Sequence, residues 1–263
     1  MSTPSSIAGV NELPPDERDR LYAQFIAPVI FERFAIDPET YCNAEGQRVL
    51  EVKGAPGSSA VEVKLRHEPT AQDPILYAHL TDTMNGQLLI MLYIINDPHS
   101  ERFSTDRMPD GTPTEFGVVR RNLPAEEAAF RAGLTPGQVR RGLRLLGPAI
   151  ECFERFVSSL GLSMFFAEPL SYHNAVVFEQ YGFSYQQGRR WMESIDTRFR
   201  KDGDLLRRLD GSSVFRQPGA ALSIRGRSWA IHDGVLNEPF TGVHMHKVVG
   251  KHSGISTFAD GVW

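Results

Sequence analysis

Two cysteines among 263 residues, Cys42 and Cys152, are too few and too far apart for a disulfide framework or a metal knuckle. The expectation is two free thiols in a reducing compartment, with Cys152 a core residue between apolar helix positions. Long apolar runs are also lacking. The longest, Leu88 to Ile95, is strand-sized, far short of the roughly 18 to 20 residues a membrane span needs. The N-terminal MSTPSSIAGVNELPPDERDR has no basic region followed by an apolar core, so no secretory signal is expected and the location expected is cytoplasmic. Neither charge sign dominates: 28 Lys and Arg against 32 Asp and Glu leave a formal −4. That balance argues against a dedicated nucleic-acid binder. No internal repeat or low-complexity tract occurs. What remains, 41% hydrophobic and 10% aromatic, is globular, enough for one large domain or two small ones.

The pattern along the chain is legible in stretches. Asp16 to Phe34 reads as a helix entered at Pro14-Pro15 and kinked at Pro28. Strands follow at Arg48 to Lys53 and at Ala60 to Arg66, where Val61, Val63 and Leu65 alternate with Glu62 and Lys64. Ile75 to Thr83 and Gln87 to Asn96 flank Asn85-Gly86, a hairpin signal because both turn positions tolerate positive φ. A polar loop from Asp97 to Pro113 leads to a short strand, Thr114 to Arg121. Helix is expected from Pro124 to Leu160. Its stripe of Val139, Leu143, Leu146, Ile150, Phe153, Val157 and Leu160 is opened by Thr135 and Pro136. Gly147-Pro148 predicts a kink there or a junction of two helices. Next come a buried strand from Ser163 to Ala167, a helix from Tyr172 to Gln180 and a strand from Phe183 to Ile195. The tail predicts a helix near Asp204 to Leu209 and strands at Ala221 to His232 and His244 to Val249.

One segment says more than the rest: LSMFFAEPLSYHNAVVFEQYGF, Leu162 to Phe183. Strand, polar break, helix with Asn174 near its start, and the ending Phe178-x-x-Tyr181-Gly182-Phe183 together resemble the last conserved segment of the GNAT superfamily of N-acyltransferases. The resemblance implies an α/β (α+β) fold with a mixed, mostly antiparallel central sheet flanked by helices. It places an N-terminal helical segment at 1–47, the GNAT-like core at 48–196 and a β-rich C-terminal extension at 197–263, packed on that core. It also implies two parallel strands that splay so that an acyl thioester lies between them. The activity implied is transfer of an acyl group from acyl-CoA, or from the acyl-phosphopantetheine of a carrier protein, to a small amine. Neither nucleic acid nor membrane is an expected partner, and a homodimer is left open.

Site residues carried over from the resemblance are few. Arg144-Leu145-Leu146-Gly147-Pro148-Ala149 fits the family's Arg/Gln-x-x-Gly-x-Gly/Ala phosphate loop, so Arg144, Gly147, Ala149 and Asn174 would line the carrier site. Pro148 has no N–H to offer, and a Gly-Pro kink in a core helix is the other reading. Arg120, Arg121, Arg131, Arg140, Arg141 and Arg144 would give this region a positive patch, suited to phosphate or an acidic carrier, or a solvated helix face. Glu115 is the candidate general base. The family's acid is a Tyr where this chain has Phe178, so Tyr181, His173 or Tyr172, or water, would protonate the leaving thiolate. A rival reading lies in the tail. His244 and His246 share a strand face, and with His232 they could hold Zn or Fe. Arg225, Arg227 and Trp229, on one face of the expected strand, could bind a carboxylate or an aromatic ring. A non-catalytic ligand-binding protein is the third reading.

Overall fold

The computed structural model describes residues 4–114 and 120–263. Its strands are β1 (Leu50–Lys53), β2 (Ala60–Leu65), β3 (Leu76–Asp82), β4 (Leu88–Ile95), β5 (Met164–Ala167), β6 (Ser184–Gln187) and β7 (His244–Val248). They form one mixed open sheet in the order β1-β2-β3-β4-β5-β7-β6, with helices around it. β1 to β4 pair antiparallel and β4 pairs β5 in parallel. The helices α1 (Ile7–Asn11), α2 (Pro15–Ala23) and α3 (Pro28–Arg33) precede the sheet. Between β4 and β5 come α4 (Leu123–Arg131) and α5 (Leu146–Ser159), then α6 (Tyr172–Gln180) before β6. After β6 follow α7 (Arg189–Phe199), α8 (Asp204–Arg207) and α9 (Ile224–His232). No helix among the described residues is long and apolar enough to cross a membrane.

The chain divides into two compact units, each built from three separated segments. The first comprises Met1–His99, Gly142–Glu168 and His246–His252. Its core follows from period-2 patterning: Val61, Val63 and Leu65 are buried while Glu62 and Lys64 point the other way. Ile150, Phe153 and Val157 of α5 pack among Tyr22, Phe25, Phe156 and Phe165, and the Phe25 and Phe153 rings stack at 4.8 Å. The Asp82 carboxylate, at the end of β3, accepts from the N–H groups of Ile7 (2.8 Å) and Ala8 (2.9 Å), which pins α1 to the sheet. The second unit comprises Ser100–Arg141, Pro169–Met245 and Ser253–Trp263. Its centre is Trp229, which is stacked on Phe215 at 4.8 Å and donates from Nε1 to the Leu134 carbonyl at 2.8 Å.

Several expectations hold closely. The Asn85-Gly86 hairpin forms, with Gly86 at φ +69°. β5, α6, β7 and α8 lie where the pattern put them. Others are corrected. Pro28 starts a new helix instead of kinking one, because α2 ends at Ala23. The stripe from Val139 to Leu146 is loop until Leu146: Gly137 has φ +82° and Arg144 φ +60°, left-handed turns that a helix does not accommodate. The strand expected to reach Ile195 stops at Gln187, since Gly188 turns at φ +94° and α7 begins, burying Met192, Ile195 and Phe199 at helical spacing. Ala221 to His232 is a 3₁₀ turn (Pro218–Leu222) followed by α9, whose N-cap Ser223 accepts from the Gly226 N–H. The regular structure of the tail is therefore mainly helical, with β7 its one strand among the described residues. The strand expected at Thr114 to Arg121 falls mainly on residues outside those described.

Candidate functional site

β4 and β5 pair in parallel, and the pairing is short. They pair over three residues only: Leu88 with Phe165, Leu89 with Phe166 and Ile90 with Ala167. β5 ends at Ala167, while β4 runs on to Ile95. The pairing ends beside an irregularity in β4. Leu80 of β3 faces Ile90 but His79 faces Leu92, so Met91 is an extra residue, 44% exposed. A bulge of this kind bends the strand and increases its twist. Beyond it, β4 presents an edge that β5 does not take up.

At the far end of that edge the chain enters α5. Gly142 lies against the Ile95 carbonyl oxygen, and α5 opens at Leu146 after an N-cap, Leu145, that makes no side-chain capping bond. The ladder begins with the Ala149 N–H on the Leu145 carbonyl at 3.0 Å. Leu146 and Gly147 thus carry first-turn N–H groups at the positive end of a 14-residue helix. Pro148 contributes none. Gly147 opens a helix and does not kink a continuous one. Arg144 is exposed two residues ahead of the helix, whereas Ala149 is fully buried and its N–H is already bonded.

The residues expected on the other wall belong to the second unit, on α6. His173 is 6% exposed, with Nδ1 2.8 Å from Ser228 Oγ. Burial, aided by the nearby His232, pushes its pKa down to about 3, so the ring is neutral near pH 7 and has no imidazolium proton to give. Tyr172 is buried, its pKa pushed up by burial to about 12 against the opposing pull of Arg227. Asn174 sits half-buried in the first turn, its N–H on the Ser171 carbonyl at 3.0 Å. Tyr181 is half-buried at the helix end. Phe178, where the family's acid would stand, stacks on Phe183 at 4.8 Å and is a packing residue. Glu115 lies outside the described residues.

The histidines of the tail are not gathered as a metal site. His232 is on α9, and its Nε2 is 3.0 Å from Glu126 Oε1. His244 and His246 are half-exposed on β7. Among the described residues no three His, Cys, Asp or Glu side chains are placed to hold a metal ion. Arg225, Arg227 and Trp229 do not share a strand face, because α9 is a helix: Arg227 and Trp229 are buried, and Arg225 donates to the Phe130 carbonyl at 2.9 Å.

A polar cluster in the second unit escapes sequence reasoning. Arg121 binds Glu126 Oε2 (2.6 Å) and Asp233 Oδ1 (2.8 Å), and Arg216 and Ser213 both reach Asp233 Oδ2 at 2.8 Å. Burial alone would raise the Glu126 carboxyl, but His232 and Arg121 outweigh it and hold the group below its ordinary value. No motif signals this, since Glu126 and His232 are 106 residues apart.

No protein-family model matches this sequence, and neither a curated protein nor a solved structure matches it.

Proposed function

We propose that the chain is an acyltransferase of the GNAT kind, moving an acyl group from acyl-CoA or an acyl carrier protein to a small amine. The observation that carries this reading is the end of the β4–β5 pairing after three residue pairs, beside the bulge left by Met91. A pantetheine arm is a chain of amides, and an unpaired strand edge can take up such a chain as it would a peptide strand. The helix start at Leu146 and Gly147 suits its phosphates, with Arg144 adding charge. Both features lie in the first unit.

The chemistry follows from the substrates. An ammonium must lose a proton before its nitrogen attacks the thioester carbonyl, and the departing thiolate must gain one. In this reading Glu115 is the base. Of the candidate acids Tyr181, His173 and Tyr172, Tyr181 is retained: the His173 ring, neutral down to about pH 3, holds no acidic proton to pass on, and Tyr172 is 1% exposed. Isothermal titration with acetyl-CoA and longer acyl-CoAs, together with capture on acylated carrier protein, tests the proposal. Absence of binding in all of them overturns it.

A further inference from the structure

A second feature of the first unit is independent of the acyl-transfer reading. Between the end of α2, the start of α3 and the flank of α5 runs a groove of about 440 Å³, within the size range of small-molecule sites. Phe31 and Tyr41 are buried beneath it, and Pro28 and Pro38 are exposed beside it. Ala23, Gln24 and Ile26 also line it, with two cations, Arg20 and Arg155, and no carboxylate.

Apart from the Gln24 amide, the polar side chains there are donors. Arg20 makes no hydrogen bond or ion pair with any described residue, and Arg155 donates only to Cys152 Sγ, at 3.0 Å. The Asp19 carboxylate is taken by Arg48 at 2.6 Å and by Arg18 at 2.9 Å. Tyr41 is 5% exposed, yet its hydroxyl has no hydrogen-bond partner among the described residues. Its backbone sits at φ +58°, where a bulky aromatic residue is an outlier. Two backbone bonds hold it there: the Tyr41 N–H on the Asp37 carbonyl at 2.8 Å and the Val49 N–H on the Tyr41 carbonyl at 2.9 Å. Burial and Asp19 raise the phenol pKa while Arg20 and Arg48 oppose the rise, and the Arg48 guanidinium lies over the ring at 5.3 Å.

Two guanidinium groups and one phenol O–H beside aromatic surface, with the nearby Asp19 already engaged by Arg18 and Arg48, suit an anion that has an apolar body. Arginine engages carboxylates through paired N–H donors, and the Tyr41 hydroxyl, which is not sealed from solvent, is free to donate to an acceptor in the groove. We propose that this groove binds a small amphipathic carboxylate, an aromatic or medium-chain acid.

Titration of the full chain with benzoate, hexanoate and inorganic phosphate, followed by calorimetry or ligand-observed NMR, tests this. Saturable binding of at least one carboxylate is expected, with phosphate much weaker. The double variant Arg20→Met/Arg155→Met should weaken it about tenfold or more, and Tyr41→Phe severalfold, as loss of hydrogen bonds to a charged group requires. Both arginines are exposed and Phe keeps the Tyr41 ring, so the variants retain the fold. Three results would each overturn the proposal: no saturable binding of either acid, phosphate binding as tightly as the acids, or affinities unchanged in both variants.

Discussion

Gly142 lies so close to Ile95 that a Cβ on the glycine would stand 3.1 Å from the Ile95 carbonyl oxygen. The contact joins the end of β4 to the loop that leads into α5, the two features on which the proposed carrier site depends. Gly142→Ala obliges the loop or the strand end to shift by a few tenths of an ångström. A cost of about 1–3 kcal/mol is expected from overpacking, measurable by urea denaturation. Unchanged stability would mean that the loop gives way freely.

Gly147→Asp separates binding from folding. An acid in the first turn complements the helix dipole, and replacing glycine within a helix favours the folded state by up to about 1 kcal/mol. Stability should hold or rise. A carboxylate placed there repels phosphates, so acyl-CoA affinity should fall about tenfold or more. Equal affinity of the variant and the parent in calorimetry would remove the helix start from the carrier site.

His173 makes stability depend on pH. Its folded pKa, about 3, lies below the ordinary 6.5. Below pH 6.5 the unfolded chain binds a proton that the folded chain refuses, so stability falls as pH drops from 6.5 towards 3. The slope from this one group is about 1.4 kcal/mol per pH unit. His173→Gln should flatten the stability profile by that amount between about pH 6 and pH 4. Parallel profiles for the two proteins would show that the ring is not held neutral.

Arg227 is enclosed by aromatic rings, Phe258 at 3.4 Å and Phe199 at 5.0 Å, and it reaches Asp196 Oδ1 at 2.7 Å. Asp196→Ala leaves that guanidinium buried without its carboxylate, a loss of about 3–5 kcal/mol. The double variant Asp196→Ala/Arg227→Met removes the stranded charge and should recover part of the loss. Denaturation of both proteins decides it: a double variant no more stable than the single one would argue against charge burial as the cause.

The accuracy of the sequence reading varies from element to element for a physical reason. α6 was legible because its signals are local: Ser171 at its entry and Gly182 at φ +82° after its end. α9 was misread as a strand because it is buried almost all round, from Ile224 to Ile231, so no polar face marks a helical period. The apolar spacing ahead of Leu146 misled for the opposite reason. Leu143 is buried from a loop, and burial by itself does not require a helix.

Local composition determined the hairpin at Asn85-Gly86, the strand–helix pair ending at Phe183, and the globular character of the chain. Those depend on interactions within a few residues, which a linear pattern records. Tertiary packing alone decided that Met91 would be the residue left over between β3 and β4, that Tyr41 would sit at positive φ beside Arg20, and that Glu126 would meet His232. Register and long-range pairing are settled by which surfaces bury one another, and no neighbouring residue carries that information.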